Sequence, residues 1–264
     1  MANCPNCGEL ISDGSKFCTK CGTPLNATPV DNNIEYEIKG GNLPFVEMNL
    51  KRGQRIICES GSMAWRDPSI TMETTSNGGA SKALSRLFSG ERLFQNIYTA
   101  TQDNSKIAFS SSFPGTIMAL DVKPGQDIIC QKRSFLAGTA GVDLSIHFNQ
   151  RMGIGFFGGE GFIMQRLSGN GKVFIEIDGS TEEKVLKEGE RIVLSTGHLV
   201  LMDSTCKIDI EQNTGLKNIF LSGEGLFNTI ITGPGRIVTQ SMPISKTANI
   251  LYDYMPHPSN TSTK

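Results

Sequence analysis

The chain has 264 residues and carries 25 basic against 26 acidic side chains, a formal net charge of −1. That balance excludes a global field drawing the protein onto nucleic acid or an anionic membrane. No apolar run exceeds four residues, as in LVLM at 199–202, against the roughly 20 that a spanning helix needs. The first residues are polar and cysteine-rich, without the apolar stretch of a secretion signal, so a cytoplasmic protein without a transmembrane segment is expected.

Four of the seven cysteines lie at the start, in CPNCG and CTKCG. Cys4, Cys7, Cys18 and Cys21 thus form two C-x-x-C pairs, each followed by a glycine that lets a tight turn aim backbone amides at sulfur. Four thiolates at this spacing satisfy tetrahedral Zn2+ with no open position, the mark of a structural site. Iron in a rubredoxin-like site is the competing metal. Disulfides do not suit a reducing compartment, and a redox C-x-x-C needs a βαβ setting too large for 25 residues. So short a segment has little core, and structural zinc supplies about 10–16 kcal/mol in apparent terms. CPNCG and FCTKCG resemble the bacterial zinc-ribbon domain family over residues 1–25. Across this segment Glu9 and Asp13 offset Lys16 and Lys20, and Phe17 is the single aromatic, a composition suited to protein contact rather than nucleic acid.

Residues 26–33, NATPVDNN, read as a linker, and residues 255–264 as a loose tail. Between them the chain repeats itself. LKRGQRIIC at 50–58 returns as VKPGQDIIC at 122–130 and LKEGERIVL at 186–194. A second block, GERLF at 90–94, returns as GEGFI at 159–163 and GEGLF at 223–227. A third begins with KIAF at 106, KVFI at 172 and RIVT at 236. One block order at near-constant spacing predicts an internal triplication of residues 34–254, divided at 34–105, 106–171 and 172–254.

K-x-G-[QE] is a tight turn whose glycine takes positive φ. VEMNL before it alternates Val46, Met48 and Leu50 with Glu47 and Asn49, a strand with one buried face. STEEKV in the third copy breaks this pattern and predicts an exposed arm. Frequent glycines between short β-prone runs indicate an all-β domain. The one helix signalled is SKALSRLF at 81–88, an insertion after NGG.

The triplication constrains the search for a reaction. Cys58 and Cys130 share a slot with Leu194, which predicts core packing rather than a nucleophile. Glu91, Glu160 and Glu224 also share a position and read as turn-capping carboxylates. GIGFFG at 153–158 matches a dinucleotide fingerprint literally, but β sequence follows it, so a dinucleotide site is rejected. His147, with Asp143 four residues before it, has no serine or cysteine partner. His198 reads as a satisfied strand histidine, and His257 falls in the tail. Trp65 shares a slot with Ala137 and Leu201 and is expected in the core.

SFLAGTAGVDL at 134–144, STGHLVLMD at 195–203 and GEGLFNTIITGPGRIVTQSMP at 223–243 resemble the family named after the twenty-fourth "altered inheritance of mitochondria" protein, over about residues 34–245. The resemblance implies three subdomains similar to the tryptophan RNA-binding attenuator protein, each a small double-stranded β-helix or sandwich, assembling further into oligomers. Its mitochondrial members are linked to inner-membrane organisation and biogenesis; a fused ribbon is not part of that pattern. The leading expectation is a non-catalytic scaffold or binding protein, homo-oligomeric, with the ribbon holding a protein partner. The second is an RNA-binding regulator, by analogy, with Lys51, Lys123 and Lys187 as a basic ring. The third is a small-molecule or enzymatic pocket between subdomains.

Overall fold

The structure, a computed structural model, describes residues 2–3, 9–12, 15, 32–76, 94–150, 161–212 and 227–255. Two short strands, β1 (Ala2–Asn3) and β2 (Leu10–Ile11), pair antiparallel at the start of the chain. The main body then opens with an added strand, β3 (Glu35–Lys39), laid against β4 (Phe45–Leu50).

Alternation builds β4. Val46, Met48 and Leu50 are buried, while Phe45, Glu47 and Asn49 stay half-exposed. The turn at 51–54 follows, then β5 (Arg55–Glu59), β6 (Met63–Arg66), β7 (Ile70–Ser76), β8 (Phe94–Ala100) and β9 (Ser105–Ser110). β4 and β6 flank β9, whereas β5 and β7 flank β8. Both layers feed one core, in which Val46 and Met48 meet Ile56, Cys58, Tyr98 and Phe109.

The same pairings occur in the next six strands: β10 (Gly115–Val122), β11 (Ile128–Gln131), β12 (Phe135–Thr139), β13 (Val142–Gln150), β14 (Phe162–Gly169) and β15 (Gly171–Asp178). Here β10 and β12 flank β15, while β11 and β13 flank β14. They occur again in β16 (Thr181–Leu186), β17 (Arg191–Ser195), β18 (Leu199–Asp203), β19 (Lys207–Gln212), β20 (Phe227–Thr232) and β21 (Gly235–Gln240). In this last unit β16 and β18 flank β21, and β17 and β19 flank β20. In all three, the third strand carries a register shift just before its centre, between Met63 and Trp65, Phe135 and Ala137, and Leu199 and Leu201.

Neighbouring units share sheets. β5 pairs with β12, and β11 with β18, giving the six-stranded orders β10-β15-β12-β5-β8-β7 and β13-β14-β11-β18-β21-β16. The outer halves remain shorter: β3-β4-β9-β6 at one end and β17-β20-β19 at the other. The cores overlap likewise, since Leu136, Ala137 and Phe174 pack into the first and Val200, Leu201 and Val238 into the second.

The pairing moves the boundaries expected at 105/106 and 171/172. β9 belongs with β4 and β15 with β10, so the strand carrying the third block closes its own unit rather than opening the next. STEEKV is exposed as expected, with Thr181 to Val185 all outward and Leu186 buried. Trp65 is the clear correction: it is 40% exposed on β6, not in the core. His198 sits in the turn before β18 rather than in a strand. A helix that the sequence pattern did not flag, α1 (Ile244–Asp253), follows β21 after Pro243. The segments holding SKALSRLF, GIGFFG, Glu91, Glu160, Glu224 and His257 lie outside the described residues. Among the described residues, no helix is long and apolar enough to cross a membrane.

Candidate functional site

The three repeated turns share their geometry. Gly53, Gly125 and Gly189 have φ of +85°, +80° and +73°. In each, the residue after glycine donates its amide to the lysine carbonyl: Gln54 to Lys51 at 3.0 Å, Gln126 to Lys123 at 2.9 Å, Glu190 to Lys187 at 3.0 Å. The fourth side chain locks two of the turns, Gln54 Oε1 accepting the Lys51 amide at 2.9 Å and Glu190 Oε2 the Lys187 amide at 2.8 Å. The lysine side chains are exposed at all three. At the third turn, Lys187 is followed by the exposed acids Glu188 and Glu190.

A second basic position, less visible in the sequence, is consumed by ion pairs. Lys106, Lys172 and Arg236 open the third block, and each reaches a carboxylate on the first strand of its unit. Lys106 pairs with Glu47 at 3.2 Å, Lys172 with Asp121 at 2.6 Å and Arg236 with Glu183 at 3.6 Å. The signal was the shared basic residue of KIAF, KVFI and RIVT; the acids carry no common motif, so the pairing was not legible.

The titratable candidates are likewise engaged. Arg166 donates to His147 Nδ1 at 3.0 Å and to Asp127 Oδ2 at 2.8 Å. A guanidinium has no lone pair to offer, so His147 accepts there as a neutral ring; burial and then the Arg166 charge hold its pKa down. His198 Nδ1 donates to the Gln240 carbonyl at 2.7 Å. Burial pushes the Cys58 thiol up to about 11. It also raises Cys130 and Cys206, leaving no thiolate at neutral pH among these three.

One cleft of about 450 Å³ collects residues from all three units, among them Glu59, Arg133, Glu176, Asp178, Gln240 and Ile244. Glu176 and Asp178 lie two apart on β15, and desolvation raises both carboxyl pKa values. Each is committed to the fold. Glu176 accepts from the Ser112 amide at 2.7 Å and the Ser111 hydroxyl at 3.0 Å, tying the β9–β10 loop to β15. Asp178 accepts the Ile244 amide at 2.9 Å and so caps the start of α1. Glu176 accepts three hydrogen bonds from the β9–β10 loop and Asp178 one through Oδ2, so both carboxylates hold the fold at this cleft.

What remains open is backbone. Among the described residues β6 and β17 each end a sheet, as do β3, β7, β10, β13, β16 and β19. β6 and β17 present apolar side chains there, Trp65 at 40% and Val193 at 56% exposure. Unpaired edges with exposed apolar residues are strand-addition surfaces.

The family model described as mitochondrial biogenesis AIM24 matches residues 36–242. The chain belongs to this family. A zinc-ribbon domain model matches residues 3–25 ahead of it. An uncharacterized protein of Streptococcus pyogenes serotype M6, M6_Spy0233, is 30% identical over 242 residues, which cover 88% of this chain and 95% of that one. The X-ray crystal structure of protein SPYM3_0169 from Streptococcus pyogenes superimposes with a TM-score of 0.70 at 24% identity, over 84% of this chain and all of that one. It shares the fold of this member of the AIM24 family.

The ligand set expected for the ribbon, Cys4, Cys7, Cys18 and Cys21, lies outside the described residues. Among the described residues, Ala2 pairs with Ile11 and Asn3 with Leu10. Four soft thiolates favour zinc or iron over harder cations.

Proposed function

We propose that this AIM24-family protein is a non-catalytic, self-associating scaffold whose zinc ribbon provides a separate contact for another protein. One observation carries this reading: among the described residues the two outermost sheets end in unpaired strands with exposed Trp65 and Val193, while Glu176, Asp178 and His147 are tied into the fold. Packing three units against each other leaves sheet edges, beside the one cleft described above, as surface available for function. The internal repetition belongs to this reading, since the same strand pairings in each unit let one unit's edge strand take the neighbour's place at another.

In the ribbon, Cys4, Cys7, Cys18 and Cys21 hold one Zn2+ as a structural ion; the spacing and the match to the zinc-ribbon domain support it. Free thiolates for such a site fit a reducing, cytoplasmic compartment. A nucleic-acid role has less support, because the net charge is −1 and the third turn sets Glu188 and Glu190 beside its lysine.

Multi-angle light scattering of the purified chain tests the scaffold. A mass several times that of one chain, constant over the micromolar range, is expected. A monomer throughout, or turnover of a small molecule bound in the cleft, would overturn it.

A further inference from the structure

The two junctions inside the chain are built at one register. At the first, Cys58, Ile57 and Ile56 of β5 lie opposite Ala137, Gly138 and Thr139 of β12. At the second, Cys130, Ile129 and Ile128 of β11 lie opposite Leu201, Met202 and Asp203 of β18. Counted from the turn glycine of each unit, Cys58 and Cys130 are both the fifth residue on, and Ala137 and Leu201 both the twelfth. The same count places Leu194 of β17 opposite Trp65 of β6, Val193 opposite Arg66 and Ile192 opposite Asp67. Among the described residues neither strand has that partner, because β6 ends one sheet and β17 ends another.

Burial marks the same two strands as half of a junction. Ile57 and Ile129 are 5% and 0% exposed, whereas Val193 in their slot is 56%. Cys58 and Cys130 are fully buried, and Leu194 in theirs is only partly covered at the rim of the third core. On the other strand Ala137 and Leu201 are at 0%, and Trp65 at 40%. Leu136 and Val200, at the register shift, insert into the core of the preceding unit. Ala64 at the same place is exposed. Among the described residues the third core therefore lacks the strand that covers the other two, and β6 lacks a core to cover.

We propose that copies of this chain join head to tail, β6 of one adding antiparallel to β17 of the next at the internal register, with Trp65 laid over Leu194. This rests on the self-association reading and names its interface. The strand identity, register and incomplete core all select a second copy over an unrelated strand, since the chain builds this contact twice itself. The contact is heterologous, so it closes into a ring if the rotation per chain closes, and otherwise extends.

Two exposed positions allow a direct test. Arg66→Cys and Val193→Cys are made in separate full-length, zinc-loaded chains, where Cys58, Cys130 and Cys206 stay buried. Opposed cysteines at adjacent strands fall within disulfide reach. Oxidising the mixture is expected to give a covalent dimer containing one of each chain, with none from either chain alone. A dimer from Val193→Cys alone would mean β17 pairing with β17 and would overturn the proposal. Multimers by light scattering without any cross-link in the mixture would also overturn it, leaving the self-association reading intact. A monomer would overturn both. Trp65 is the single tryptophan, so its emission should move to the blue on assembly and stay red in Val193→Lys. Emission indifferent to assembly would count against the interface.

Discussion

Asp203 Oδ2 accepts the backbone amide of Arg236 at 2.8 Å, fastening the end of β18 to the start of β21. Asp67 does the same for Lys106 at 2.7 Å, and Thr139 for Lys172 at 3.0 Å. One structural duty is thus met by two side-chain chemistries, because either an aspartate or a threonine oxygen can reach a neighbouring amide. Removing the acceptor strands a donor at the sheet margin. Asp203→Ala is expected to cost about 1–2 kcal/mol in urea unfolding, and Asp203→Thr clearly less.

The turn glycines offer a cleaner comparison. A Cβ at Gly53, Gly125 or Gly189 would meet nothing within 4 Å, so only the positive φ penalises alanine there. Each Gly→Ala change should destabilise by about 1 kcal/mol, with asparagine costing less. Gly115 is a contrasting control, since a Cβ there would collide with the Ile177 carbonyl, and Gly115→Ala should exceed all three. Thermal unfolding of the four variants side by side checks the ranking.

The Glu176 carboxyl is held above its ordinary range, burial outweighing the hydrogen bonds from Ser111 and Ser112. A raised folded pKa means the folded state binds the proton more tightly than the unfolded chain does. Its contribution is therefore present in full below the unfolded value, about 4.3, and lost as pH rises through the folded value. Glu176→Gln is neutral throughout. Its stability relative to the parent should be greatest near neutral pH and should shrink on acidification, as read from urea midpoints across that range. An unchanging difference would show that burial does not shift this carboxyl.

Thiol chemistry separates the ribbon from the body. Cys58 is lifted to about 11 by burial, and Cys130 and Cys206 are raised too. With zinc bound, none of the seven cysteines should react quickly with a thiol reagent near neutral pH. Chelation should release four fast-reacting thiols while the far-ultraviolet signal of the β body persists, because metal supplies folding energy only where core is scarce. Loss of the body's signal on chelation would tie the two together.

Much of this was legible beforehand, for definite reasons. The turn at Lys51–Gln54 was readable because positive φ restricts the residue to glycine wherever the turn recurs. β4 was readable because period-two alternation is local. The ion pairs of Lys106, Lys172 and Arg236 were not, since their acids sit on a strand some 50 to 60 residues away in sequence, as in Lys106 with Glu47 at a separation of 59. Helix α1 was missed because its start is set by Asp178, a distant carboxylate capping Ile244 rather than a neighbouring cap.

Trp65 shows where the division falls. By itself the sequence determined that Trp65, Ala137 and Leu201 occupy one slot, because a fixed count from a glycine turn sets strand and facing. Only the tertiary structure decided that two of them are buried and one is open. Burial of an edge strand depends on whether another strand lies beside it, and that is a property of the neighbour, which no local pattern encodes.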